Sequence, residues 1–181
     1  MDLEQEAQRE EIPIVGPVVG ELLFILVSVT RAKRILELGT ATGYSAVYMA
    51  RAFTSPQAQV VTLENDPAMA ARAKSNFKKA GLNQQIDIMP GDAQTRLAEI
   101  DYLIDFAFLD IDKEFYADVL PHCQRLLKPG GLLVADNVAF IDADPFNHAI
   151  AASDKWQAVS LFTFLPFHSP EYDGLCLALR L

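Results

Sequence analysis

The chain has 181 residues, 51% of them hydrophobic and 22% charged, with a formal net charge of −9 and a pI near 4.7. That is enough for one globular domain with a sizeable core. The acidic balance argues against a nucleic-acid footprint, which needs clustered Lys and Arg. Cys123 and Cys176 lie far apart, with no CxxC and no histidine at ligand spacing, and read as small buried hydrophobes in a reducing cytoplasm.

Met1 to Glu11 is acidic and polar, unlike a signal peptide. Val15 to Val29 is apolar, but Gly16, Pro17, Gly20, Glu21 and Ser28 interrupt it. It also falls short of the ~20 residues of a membrane span, so a helix packed on the domain is expected. Strand and helix then alternate. Arg34 to Leu38 reads as a strand that stops at Gly39, and Tyr44 to Phe53 as the helix after it. Gln59 to Leu63 is the second strand, ending at Glu64. Asp66-Pro67 then opens a helix with a capping residue and a first-turn proline, running to Lys79 and closed by Gly81. Ile86 to Met89 is the third strand, followed by Gly91-Asp92-Ala93 and a short helix to about Ile100. Phe106 to Leu109 is a continuous apolar run of the kind buried on both faces, ending at Asp110. A helix from Glu114 to Leu127 closes at Pro129-Gly130-Gly131, and Leu132 to Ala135 is the fifth strand, ending at Asp136-Asn137. A helix from Pro145 to Ser153 leads to two closing strands, Ala158 to Phe164 and Gly174 to Leu181. Their connection is too short for a crossover helix, so they pair antiparallel.

The expected fold is therefore α/β: a doubly wound, Rossmann-like sheet of seven strands, mostly parallel with an antiparallel last strand, with helices on both faces. In such a sheet the carboxyl ends of the parallel strands share one edge, where ligands bind. Here that edge collects Glu37 and Gly39, Glu64, Asp92, Asp110, and Asp136 with Asn137. Asp and Asn at strand ends also cap turns and helices, but their coincidence on one edge points to a site. The glycine turn is Gly-x-x-x-Gly, neither the pyrophosphate fingerprint nor a P-loop. Glu37 just before it favours a ligand carrying positive charge, such as a sulfonium or an α-amino group. Glu64, at the end of the second strand, is placed to accept ribose hydroxyls, with Asp92 and Ala93 where the base would lie. Asp110, Asp136 and Asn137 offer three hard oxygen donors on neighbouring strands, suited to Mg²⁺. Lys113 stands beside them and can serve as a base.

The stretches ILELGTATGYSA from Ile35, VTLENDP from Val61, GDA from Gly91, FLDIDKEFY from Phe108, LLKPGGLLVADNV from Leu126 and DGLCL from Asp173 resemble one family. It is the class I S-adenosylmethionine-dependent O-methyltransferases of the metal-dependent catechol and caffeoyl-CoA type. The likeness covers nearly the whole chain from about Ile12. It implies a single methyltransferase domain over residues 1–181, with an N-terminal helical segment, 1–30, shorter than the family's. It also implies that Gly39, Thr40 and Ser45 hold the methionine part of the cofactor, with Glu37 near its amino group. Glu64 and Asp110 complete the cofactor contacts, Glu64 at the ribose, and Asp92 with Ala93 lies on the adenine side. Asp110, Asp136 and Asn137 would hold a divalent cation, Mg²⁺ first, and Lys113 would be the general base.

The acceptor half is pared down, in the N-terminal segment and in the stretch after Asn137, which leaves the acceptor's identity open and an exposed mouth on the site. The implied acceptor is a small molecule with vicinal hydroxyls, such as a catechol. The alternatives are a hydroxylated uridine of tRNA, or a cofactor-binding protein without catalysis. Against the last stands Lys113 beside a full donor set, which a dead site does not need. The expected protein is cytoplasmic, with no membrane partner, and a homodimer is compatible with it. His122, His148 and His168 have no ligand-spaced partners and read as surface or capping histidines. Trp156, Phe162, Phe164 and Phe167 read as core or dimer surface, and Lys74, Lys78 and Lys79 as a solvated helix face.

Overall fold

The computed structural model describes residues 3–181. Two helices, α1 (Leu3–Glu10) and α2 (Gly16–Thr30), precede the alternating units β1 (Arg34–Leu38), α3 (Tyr44–Arg51), β2 (Gln59–Glu64), α4 (Pro67–Lys79), β3 (Ile86–Pro90) and α5 (Ala93–Glu99). These continue as β4 (Ile104–Leu109), α6 (Tyr116–Leu126), β5 (Leu127–Ala135) and α7 (Asp144–Ala152), and close with β6 (Trp156–Phe164) and β7 (Tyr172–Arg180). The seven strands form one sheet in the order β3-β2-β1-β4-β5-β7-β6. β1 to β5 pair parallel, and β7 runs antiparallel between β5 and β6, as the short β6–β7 connection requires.

Alternation along the strands sends side chains to two cores. Ile35, Val60, Phe106 and Val134 meet Leu23 of α2, Val47 of α3 and Phe77 of α4 on one face. Leu36, Leu63, Ala107 and Leu133 meet Leu97 of α5, Val119 and Cys123 of α6 and Phe146 of α7 on the other. Both cysteines are free and buried, and burial pushes the Cys123 thiol up to about 12. α4 starts as its sequence dictates: Asp66 Oδ1 accepts from the backbone N–H of Ala68 at 2.7 Å and Met69 at 3.3 Å.

Several boundaries differ from expectation. β5 starts at Leu127 rather than Leu132, because Leu127 pairs with Ile104 before the Pro-Gly-Gly stretch shifts the register to Phe106–Leu132. The helix expected from Glu114 is a 3-10 turn, Lys113–Phe115, followed by α6. α2 buries only the stripe Gly16, Val19, Gly20, Leu23 and Val27, leaving Val18, Ile25 and Val29 exposed. Trp156 is core, whereas Phe162, Phe164 and Phe167 are exposed. Among the described residues no helix is long and apolar enough to cross a membrane.

The strand order reverses at β1, flanked by β2 and β4, which opens a crevice at the carboxyl ends of β1 and β4. The two glycines of the β1 turn make that crevice. Gly39 has φ +96°, and a Cβ there would lie 2.1 Å from the Asp110 carbonyl oxygen. Gly43 has φ +85°, and a Cβ there would lie 2.3 Å from the Phe77 ring. The spacing thus records two close approaches, one to β4 and one to α4. Gly81 has a similar φ, +72°, with nothing within 4 Å of its Cβ position. Gly81→Ala therefore measures backbone strain alone, about 1 kcal/mol, and Gly39→Ala strain plus a backbone clash, together at least about 2–4 kcal/mol. Chemical denaturation of both variants should place Gly39→Ala clearly below Gly81→Ala; equal losses would mean that the turn can move away from Asp110.

Candidate active site

A cleft of about 400 Å³ opens at this strand edge. Of the residues expected in a site, Gly39, Thr40, Ser45, Glu64, Asp92, Ala93, Asp110, Lys113, Asp136 and Asn137 all line it. Glu37 does not. It is fully buried on β1 beneath the turn, one hydroxyl away from Thr40, which does line the cleft.

The half of the cleft at the ends of β2 and β3 is built on backbone contacts. Glu64 Oε2 accepts from the N–H groups of Thr40 at 3.2 Å and Ala41 at 2.7 Å, and Oε1 from Asp66 at 2.9 Å. Glu64 therefore clamps the glycine turn to the end of β2, and Oε1 keeps a lone pair for a donor from the cleft. Asp92 caps α5, its Oδ1 accepting from the Thr95 N–H and hydroxyl, both at 2.9 Å. Those bonds hold its carboxyl below the usual range and leave Oδ2 for a ligand.

Beneath the turn, Glu37 Oε2 lies 2.5 Å from the Thr62 hydroxyl, which lies 2.5 Å from that of Thr40, itself 3.1 Å from the Leu63 carbonyl. If Glu37 is ionised, Thr62 donates to it, and the single Thr40 proton can satisfy Thr62 or Leu63 but not both. A proton on Glu37 reverses the first bond and fills all three. Burial pushes the same way and outweighs the Ser45 and Thr62 hydroxyls that favour the charged form, raising the Glu37 carboxyl from its ordinary 4.5 to about 8.

The other half lies at the ends of β4 and β5. The Tyr116 hydroxyl is 3.1 Å from both the Leu109 and Asp136 carbonyls, tying these strand ends together. Lys113 Nζ donates to Asp110 Oδ1 at 2.9 Å and to the Ile111 carbonyl at 3.0 Å, which places the basic atom at the cleft wall. Asn137, at φ +52°, spends its amide protons on Asp173 Oδ2 at 2.6 Å and the Ser169 carbonyl at 3.2 Å. Its Oδ1 is thereby left for the cleft. Asp173 also accepts from the N–H groups of Ala139 and Gly174, so it fixes the backbone on both sides of Asn137's strand end.

His168 corrects the sequence reading. It is 5% exposed, lines the cleft, and places Nε2 2.9 and 3.0 Å from the two Asp136 oxygens, with Nδ1 2.6 Å from the Pro170 carbonyl. Burial opposes its charge, but the Asp136 carboxylate outweighs that, so the imidazole holds its proton more tightly than usual. His148 instead stays exposed on α7, and the α4 lysines are solvated. Two carboxylates and a carboxamide oxygen fit a hard divalent cation in chemistry. Among the described residues, however, no three His, Cys, Asp or Glu side chains converge into a ready cage, because Asp110 is drawn to Lys113 and Asp136 to His168.

Glu37 also makes a pH prediction. Its raised folded value means that its contribution to stability is fully present below the unfolded value and is lost as pH rises towards about 8. Glu37→Gln, which donates to Thr62 without titrating, should flatten the fall in Tm over that window. Parallel pH–Tm curves for the two proteins would mean that Glu37 is ionised throughout.

The O-methyltransferase family's sequence profile matches residues 3–151. Over 180 residues the chain is 35% identical to a catechol O-methyltransferase of Niastella koreensis, covering 91% of this chain and 81% of that protein. An O-methyltransferase from Bacillus cereus, solved in complex with SAH, matches with a TM-score of 0.89 at 30% identity, over 98% of this chain and 88% of that one. TomG from Streptomyces achromogenes, solved in complex with SAM, matches with a TM-score of 0.88 at 27% identity, over 98% and 86% of the two chains. Built on this fold and around this strand-edge cleft, the chain belongs to the O-methyltransferase family.

Proposed function

We propose that the protein transfers a methyl group from S-adenosylmethionine to a hydroxyl of a small catechol-like acceptor, with a divalent cation, Mg²⁺ first, at Asp110, Asp136 and Asn137. The observation that carries the reading is the pairing, in one cleft, of a nucleoside-type acid at the end of β2 with hard oxygen donors and a lysine at the ends of β4 and β5. The names of the relatives agree with the acceptor class: the Niastella koreensis protein is a catechol O-methyltransferase.

When bound, the cofactor supplies a sulfonium methyl, and the cation supplies Lewis acidity at the acceptor hydroxyl. The chain's residues do the rest. Glu64 Oε1 and the Asp92 carboxylate are placed to accept hydrogen bonds from the nucleoside, while Gly39 lets the backbone come close to it. Lys113 Nζ, held at the wall by the Ile111 carbonyl, would receive the acceptor proton as the neutral amine, having given up its own proton to solvent once Asp110 no longer engages it. Pro13 and Ile14 bound the cleft on the side of α1 and continue into an adjoining hollow lined by Ala7, Pro17 and Phe167 with Glu4 and Glu11 among its polar residues. The apolar side of that hollow suits the ring of an aromatic acceptor. Much of the rate then comes from holding two reactants at attack distance.

The test is methyl transfer from labelled S-adenosylmethionine to catechols, hydroxycinnamoyl esters and total tRNA, before and after exhaustive EDTA treatment. Catechol methylation that EDTA abolishes and Mg²⁺ restores is expected. Full activity after EDTA would end the cation reading, and transfer to tRNA alone would replace the acceptor class.

Lys113 separates proton transfer from a structural ion pair with Asp110. Lys113→Met should lower kcat by about two to four orders of magnitude, the usual worth of a positioned base. Cofactor affinity by calorimetry should stay within a few-fold. Wild-type kcat in that variant would make the lysine a counter-ion only.

A further inference from the structure

α1 is joined to the rest of the domain by charge more than by packing. Among its described side chains only Leu3 and Ala7 are buried. One side of it faces the hollow lined by Pro17, Phe167 and Ser169 rather than a packed wall. What fastens it is a set of three carboxylates. Arg72 of α4 donates from Nη2 to Glu6 at 2.7 Å and from Nη1 to Glu10 at 2.6 Å. Glu6 and Glu10 stand four apart on one face of α1, so a single guanidinium spans a turn of the helix. The Tyr44 hydroxyl, at the start of α3, donates to Glu4 Oε1 at 2.5 Å, and Tyr44 itself lines the cleft. The link from α1 to α2 is short and pinned at its far end. Glu11 has φ +54° and Gly16 φ +71°. A Cβ at Gly16 would lie 2.8 Å from the Phe167 carbonyl oxygen, and α2 beyond it is anchored by Val19, Leu23 and Val27. Between these points Pro13, Ile14 and Val15 form one wall of the cleft. A displacement of α1 therefore draws on Pro13 and Ile14 and stops at Gly16.

Resting on the cofactor reading above, we propose that Arg72 is a positioning residue: with Glu6 and Glu10 it latches α1 as a lid beside the cleft and sets how fast the cofactor enters and its demethylated product leaves. Arg72, Glu6 and Glu10 stand outside the cleft lining, so they act on access and not on the reacting atoms. The Arg72 side chain is 23% exposed, and those of Glu6 and Glu10 are 29% and 51% exposed. Pairs this open to water hold weakly and are screened by salt. A weak latch suits a lid that must exclude water during transfer and open again within each turnover. Glu11 and the residues up to Val15 absorb the movement, because both ends beyond them are held.

Surface plasmon resonance with S-adenosylhomocysteine on the full chain, joined to amide exchange over Glu4 to Ile12, tests the latch. Arg72→Ala should raise both association and release rates about 3- to 30-fold, the worth of two part-exposed pairs, with Kd within a few-fold. Amide exchange in α1 should quicken with them. Release from the wild type should also quicken as salt is raised, towards the Arg72→Ala value, which salt leaves unchanged. Glu6→Gln with Glu10→Gln carries the same expectation from the lid's side, where no core packing is disturbed. Arg72→Glu with Glu6→Arg and Glu10→Arg should restore the slow rates. Wild-type rates and exchange in both the Arg72→Ala and the glutamine variants, with the ligand still bound, would overturn the latch and leave the cofactor reading standing. A weaker Kd with an unchanged release rate in Arg72→Ala would overturn it by making the arginine a steering charge. No binding of S-adenosylhomocysteine by the wild type would overturn the cofactor reading and this inference with it.

Discussion

The contact on which this structure turns is the approach of the β1 turn to the end of β4. Gly39 donates its N–H to the Leu63 carbonyl at 3.1 Å, while the Asp110 N–H bonds the Leu38 carbonyl at 2.8 Å. The turn is therefore stitched to β2 on one side and β4 on the other, with no room for a side chain between. That proximity puts Glu64, at the end of β2, and Asp110, Asp136 and Asn137, at the ends of β4 and β5, into one cleft rather than on separate strand ends. A bulkier residue at the turn would part the two halves before it touched any ligand.

Around that contact, the acidic groups are kept in different states by different neighbours. Glu64 and Asp92 are satisfied largely by backbone N–H groups and stay available at one or more lone pairs. Asp110 and Asp136 each face a basic side chain, Lys113 and His168. Glu37 faces only hydroxyls in a dry interior and is pushed towards its neutral form. A chain of formal charge −9 can thus gather acids at one edge without gathering their full charge there. Removing one basic partner from a buried pair leaves an uncompensated charge, a cost larger than the pair's own net worth.

The β6–β7 hairpin has two roles. As the sheet's antiparallel end it leaves β6 as an edge strand with exposed Leu161, Phe162 and Phe164. At its other end Asp173 orients Asn137, and the connecting segment delivers His168 into the cleft. The DGLCL stretch was legible as part of a family pattern, yet its aspartate works at a distance: it accepts from the amide of a residue on β5's end and turns the carboxamide oxygen outward.

What the sequence determined by itself is what local chemistry determines. Apolar runs, the proline and aspartate that start α4, and glycines where backbone must pass backbone are each written within a few residues, so the alternation of strands and helices and the edge bearing the acids followed from them. Boundaries softened only where tertiary pairing intervened, as at Leu127, which joins Ile104 across the Pro-Gly-Gly stretch. Tertiary structure alone decided the state and aim of the polar groups. Glu37 meets Thr62, Asp136 meets His168 and Asn137 meets Asp173 across sequence separations of 25, 32 and 36 residues. No periodicity reports such partners, because a hydrogen bond depends on where two distant segments meet. A lone histidine after a strand therefore reads as surface, and becomes part of the site only when the hairpin folds it against the end of β5.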